Sequence, residues 1–115
     1  RNKTEKNIDV RQFEIEAMNK IGLIPEIISR YRSTYFRHVF TVGYSAGYYS
    51  YLWSNVLDCD AFEVFEKNGI FDKKTGMSLR KNILEKGGTE DPNVLYKRFR
   101  GRAPKIRALL DKRGL

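Results

Sequence analysis

Phe36-Arg-His-Val-Phe-Thr-Val-Gly-Tyr-Ser-Ala-Gly-Tyr-Tyr-Ser-Tyr-Leu-Trp53 holds four of the chain's seven tyrosines, its single histidine (His38) and its single tryptophan. Glycines at 43 and 47 interrupt it. Phenolic hydroxyls and an imidazole can donate hydrogen bonds to a developing oxyanion. Tyr44, Tyr48 and Tyr51 stand at i, i+4 and i+7, a spacing that puts three hydroxyls on one helical face. Two readings compete. A cleft-lining helix would satisfy the hydroxyls with water or ligand, and a core helix would let them reach the surface past their apolar rings. Spacing alone favours the core. Gly43 and Gly47 favour a mobile loop that lets backbone approach a ligand closely.

Outward from this stretch the pattern is helical on both sides. Residues 37–43 combine β-branched side chains with Gly43 and read as extended or loop. From Ser45 or Ala46 onward the chain reads as a helix that is apolar almost all round, as a buried helix is. Asp58 or Asp60 is the expected cap of a following helix that carries Ala61, Phe62 and Phe65 and ends near Asn68-Gly69. Asp72 to Gly76 reads as a turn, and Met77, Ile83 and Leu84 as a helix stopped by Gly87-Gly88. Thr89-Glu90-Asp91-Pro92 is a strong helix start, with Gly101 as the stop. Pro104 is the expected start of the last helix, closed by Gly114.

On the N-terminal side, Val10, Phe13, Ala17 (or Met18) and Ile21 recur at helical spacing before Gly22, and Pro25 suits a short helix with Ile27 and Ile28. Residues 1–9 are polar and expected to be a flexible segment. No stretch sustains the period-two alternation of strands joined by hairpin turns. The expected fold is all-α: short helices around a central Tyr/Gly-rich loop and helix.

The 115 residues suit a single domain, and 41% hydrophobic with 31% charged residues suits a globular one. No apolar run approaches the ~20 residues of a membrane span. The chain starts with Arg1, so a processed or excised piece of a longer protein is expected, with cytoplasmic location favoured and the periplasm open. One cysteine (Cys59) and one histidine exclude an internal disulfide and a zinc site of three or four nitrogen and sulfur ligands.

His38 has Ser33, Ser45, Ser50 and Cys59 as conceivable nucleophile partners; Gly43-Tyr44-Ser45-Ala46-Gly47 fits G-x-S-x-G in its letters, but an all-α pattern lacks the strand-to-helix turn of a nucleophile elbow, and glycines 43 and 47 do not form a phosphate loop. The net charge of +8 concentrates late in the chain, where Lys97, Arg98, Arg100, Arg102, Lys105, Arg107, Lys112 and Arg113 face only Asp111. Such a stripe attracts phosphate backbones or acidic partners, yet basic residues alone read no bases. A solvated face is the simpler account, and a small basic nucleic-acid-binding module or an aromatic peptide-binding groove the alternative to an enzyme.

The segment from His38 to Trp53, continued by Ser-Asn-Val-Leu-Asp-Cys-Asp-Ala-Phe-Glu63, resembles the C-terminal region of the thimet-oligopeptidase-like zinc metallopeptidases, the M3 family. Within the family it is similar to the bacterial peptidyl-dipeptidase (dipeptidyl carboxypeptidase) and oligopeptidase A branch. The resemblance extends from Gly22-Leu23-Ile24 through Arg30-Tyr31-Arg32-Ser33-Thr34-Tyr35-Phe36, Gly69-Ile70-Phe71-Asp72, Gly87-Gly88 and Asp91-Pro92 to Phe99-Arg100-Gly101-Arg102 and Arg113-Gly114-Leu115. It implies a piece of a much longer, nearly all-helical, two-lobed enzyme, with residues 10–115 as the helical C-terminal part of its catalytic domain.

The zinc of that family sits on an H-E-x-x-H helix with a downstream glutamate, and this chain has neither. The resemblance therefore implies zinc held by ligands outside this chain, and a chain inactive by itself. It implies catalytic, oxyanion-stabilising roles for Tyr44 and Tyr51, and substrate contacts for His38, Gly43 and Tyr48 on the loop that closes over the substrate. The implied partners are peptide substrates and the remainder of the same polypeptide; composition and charge add the expectation of no membrane and favour no nucleic acid. Thr41-Val42 stand where many relatives carry glycines.

Overall fold

The computed structural model describes residues 8–41 and 43–115, so the expected flexibility of residues 1–7 and the substitution at Val42 lie outside the described residues. The described chain is all-helical, with six α-helices and no strand, as its patterning implies. Among the described residues no helix is long and apolar enough to cross a membrane. The chain divides between Tyr48 and Tyr49 into two compact units.

The first unit opens with α1, Val10–Lys20. Asp9 caps it, its Oδ1 accepting the Gln12 N–H at 3.0 Å. Gly22 ends it at φ +74°, where a residue with a Cβ would be strained. The helical period is borne out, and the inward side is the one that carries Ala17 and Met18, both half-buried, but the side chain buried most deeply on it is a carboxylate. Val10, Phe13 and Ile21 are exposed, whereas Glu14 is buried. Its carboxylate accepts the Ser33 N–H and the Arg32 guanidinium, the latter at 3.2 Å, and so ties α1 to the segment before the aromatic stretch.

No helix follows Pro25. A single turn forms there, closed by Ile27 N–H to Ile24 C=O at 3.1 Å. Ile27 and Ile28 are exposed, so no buried face holds a short helix together. The loop expected at 37–43 is instead largely a second helix, α2, Arg37–Thr41. The Thr41 hydroxyl bonds back to the Arg37 carbonyl at 2.8 Å, which satisfies a β-branched residue inside the helix. A single 3₁₀ turn, Ser45–Gly47, closes the unit.

The second unit is built on α3, Ser50–Asn68. The expected break at Asp58 or Asp60 does not occur. Asp58 is exposed, and Asp60 is fully buried with donors of its own, so neither takes a capping role. Gly69 ends the helix at φ +107°, as expected.

The expected turn at 72–76 is the start of α4, Lys73–Leu79: Asp72 Oδ2 accepts the Thr75 N–H at 2.7 Å, and Gly76 is helical. A π-helical turn, Arg80–Leu84, continues α4 and is followed by the turn containing Gly87-Gly88. α5, Pro92–Arg100, has the anticipated ends, with Asp91 Oδ1 accepting the Asn93 N–H at 2.7 Å and Gly101 left-handed at φ +78°. The last helix, α6, runs Arg107–Lys112, later than Pro104 suggested.

Val56 and Cys59 of α3 pack on Leu109 of α6 as the buried core, with Ala108 beside them. Phe65 of α3 meets Phe99 of α5 at 6.4 Å between ring centres. Trp53, Leu57, Ile83, Pro92, Leu95 and Pro104 line a crevice of about 190 Å³.

Candidate active site

The first unit gathers four of the five sequence-derived site residues, His38, Gly43, Tyr44 and Tyr48. α2 carries His38 as its second residue, and the chain returns through Gly43 to Tyr44 and, after the 3₁₀ turn, Tyr48. Gly43 has φ +78° with nothing within 4 Å of a Cβ built on it, so its glycine character serves the backbone turn and not a tight contact. Ser45, next to Tyr44, is the one non-glycine residue with positive φ (+35°) among the described residues, a conformation that stores strain beside the candidate hydroxyl.

Ring centres lie 5.9 Å apart for His38 and Tyr44, 5.6 Å for His38 and Tyr48, and 6.1 Å for the two tyrosines. Phe36 supports the group, edge-on to Tyr48 at 4.7 Å and stacked on Tyr31 at 5.0 Å, and the Arg30 guanidinium lies 5.1 Å from the Tyr31 ring centre. These separations suit edge-to-face aromatic packing, which fixes rings while leaving their polar edges usable. His38, Tyr44 and Tyr48 are each partly exposed, an intermediate state between the core and surface readings.

Tyr51 belongs to the second unit, in the first turn of α3, and is 50% exposed. Tyr49, Leu52 and Trp53 around it are exposed too, so the start of α3 is not the buried helix its composition suggests. The arrangement offers phenol and imidazole donors.

The residues present do not fit a zinc ion. His38 and Cys59 lie in different units, and among the described residues no group of three or more His, Cys, Asp or Glu side chains can hold a metal.

Two supports escaped the sequence reading. One is Glu14, whose carboxyl is held below its usual range by the Ser33 N–H first and by Arg32. The other is Asp60, which accepts from the Tyr96 hydroxyl and Arg102 Nη2, each at 2.6 Å, and from the Lys105 N–H at 3.3 Å, with the Arg100 Nε in ion-pair range at 3.3 Å. Burial pushes this carboxyl up, but the Arg102 and Tyr96 hydrogen bonds and the two arginine charges outweigh burial and hold it below the usual range. Burial first, then the Asp60 hydrogen bond and charge, hold the Tyr96 hydroxyl protonated well above the ordinary tyrosine range.

The basic stripe is thereby corrected: Arg100 and Arg102 turn inward to Asp60 and Glu63, Arg98 pairs with Glu90, and Arg107 with Asp111. A continuous phosphate-binding face is not what these arginines form. No signal in the sequence marks the Asp60 contacts, because Asp60 and its partners are 36 to 45 residues apart, whereas the Arg107–Asp111 pair has the i,i+4 spacing of helical neighbours.

The chain matches Peptidase family M3 over residues 1–115. Oligopeptidase A of Escherichia coli (strain K12) is 55% identical to it over 80 residues, which make up 70% of this chain and 12% of that protein. Dipeptidyl carboxypeptidase of the same organism is 44% identical over 108 residues, 93% of this chain and 16% of that protein. A thimet-like oligopeptidase of Dictyostelium discoideum is 38% identical over 73 residues, 64% of this chain and 11% of that protein. The chain thus spans between 11% and 16% of the length of these three relatives. With a match that runs its whole length, the chain belongs to peptidase family M3.

Proposed function

We propose that residues 10–115 are the helical C-terminal part of the catalytic domain of a zinc peptidase that hydrolyses short peptides, as a peptidyl-dipeptidase or an oligopeptidase. The observation that carries this reading is the His38–Tyr44–Tyr48 cluster, donors gathered on a glycine loop in a chain of this family. Tyr44 and Tyr51 supply hydroxyl donors to the oxyanion that develops at the scissile carbonyl. His38, Gly43 and Tyr48 hold the peptide against them. Such donors act mainly on the transition state, where charge has developed, and so on turnover more than on affinity.

Zinc in this reading is held by residues outside the chain, and the remainder of the same polypeptide covers side chains such as Ile21, Ile28, Phe40 and Phe71, the last 95% exposed. A cytoplasmic place of action goes with it, and recovery of the enzyme in a periplasmic fraction would remove that part.

The test uses the 115-residue chain and the full-length protein side by side. The chain with added zinc is expected to leave short peptides intact, and the full-length protein to cleave them and to carry H-E-x-x-H upstream in the same reading frame. Zinc-dependent cleavage by the chain alone, or a full-length frame lacking that motif, overturns the proposal.

A further inference from the structure

Asp60 is a fully buried carboxylate in the middle of α3 that the proposed chemistry does not use. Its grip on the second unit is double. The side chain takes a donor from α5 (Tyr96) and two from the connection to α6 (Arg102, Lys105), with Arg100 of α5 in ion-pair range, and its backbone carbonyl also accepts Arg100 Nε at 2.9 Å. Arg100 and Arg102 are in turn steadied by Glu63, one turn further along α3.

Tyr51 and Asp60 are nine residues apart on the same helix. At about 100° per residue they point to roughly opposite sides of it. That matches a fully buried Asp60 and a half-exposed Tyr51.

A short aspartate side chain transmits rotation directly. Its carboxylate sits roughly 5 Å from the helix axis, so a turn of roughly 20° moves it about 2 Å and breaks its hydrogen bonds. The Tyr51 hydroxyl lies further out and would swing by roughly 3 Å, whereas an oxyanion donor must sit within about 2.7–3.1 Å of its target. Buried ion clusters add little to stability compared with apolar packing, and specifying one arrangement is their better-attested use.

We propose that Asp60 is a positioning residue, which fixes the rotation of α3 about its axis and so the direction in which Tyr51 presents its hydroxyl. The inference rests on the reading of Tyr51 as an oxyanion donor.

Four forms of the full-length zinc enzyme test it on a short peptide: unaltered, Asp60→Asn, Tyr51→Phe and the double variant. Asp60→Asn is expected to lower kcat about tenfold with little change in KM, and to cost nothing further in the Tyr51→Phe background. Amide exchange at residues 52–57 should quicken about tenfold in the same protein, a readout independent of turnover. Unchanged kcat in Asp60→Asn, or the same loss with and without the Tyr51 hydroxyl, overturns the inference while leaving Tyr51 its role. Unchanged kcat in Tyr51→Phe overturns both. If Asp60→Asn does not fold, Tyr96→Phe removes one hydrogen bond and no charge. It should show the same dependence on Tyr51 at about a threefold loss, and the absence of that dependence overturns the inference equally.

Discussion

The hydroxyl of Tyr51 separates the two readings that its spacing leaves open. A surface tyrosine on a core helix would lose nothing in turnover on conversion to Phe. An oxyanion donor would lose the stabilisation that exists only once charge has developed. In the full-length enzyme Tyr51→Phe is therefore expected to lower kcat by roughly 10²–10³-fold, the scale of one such donor, with KM changing far less. Steady-state kinetics on a short peptide checks it, and a kcat within about twofold of the unaltered enzyme would make the hydroxyl structural. His38 differs in kind: its ring packs at 5.6 to 5.9 Å from two tyrosines, so its replacement disturbs their placement as well as any contact of its own with a peptide.

At the scale of elements, what local chemistry specifies was legible and what distant partners specify was not. The ends of α5 follow from Asp91, Pro92 and Gly101, three residues whose capping roles need only their neighbours. Asp91→Ala removes the side-chain acceptor of the Asn93 N–H and is expected to cost about 1 kcal/mol in a urea melt of the chain, while Asp91→Asn costs far less. The continuity of α3 through Asp58 and Asp60 could not be foreseen, since aspartate mid-run reads as a cap unless its buried donors are known. Glu14 is a parallel case: helical period sets it among Val10, Ala17 and Ile21, but a carboxylate there reads as solvated, and only the N–H of Ser33, 19 residues on, explains why it is buried. In the candidate site, the grouping of His38, Tyr44 and Tyr48 was implied by motif, but the helix that carries His38 was not, because Val39 and Thr41 resemble extended chain.

For the whole molecule, the carboxylates that tie segments together set its response to acid. Glu14, Asp60, Asp72 and Glu90 are all held below their ordinary values, which are 3.8 for the aspartates and 4.5 for the glutamates. The groups facing them are Ser33 and Arg32; Arg102, Tyr96 and Arg100; Thr75 and Lys74; and Arg98 and Lys86, respectively. A folded-state value below the unfolded one contributes stability that is fully present above the unfolded value and is lost as pH falls through the folded one. The chain's Tm should thus hold near neutrality and drop as pH is lowered from about 5 to about 2, with a shallower drop in Asp60→Asn. A Tm that is flat across that range would mean these ties do not support the fold.

The lone indole adds a further consequence. Trp53 borders the 190 Å³ crevice of the second unit, and the first unit contains no tryptophan. Light absorbed by that chromophore therefore interrogates only half of the molecule. Emission excited selectively at the indole should follow the melting of residues 49–115 alone, while far-ultraviolet dichroism sums both halves. Denaturation curves that superimpose in the two signals would mean that both units come apart as one cooperative body, and curves that separate would time their loss independently.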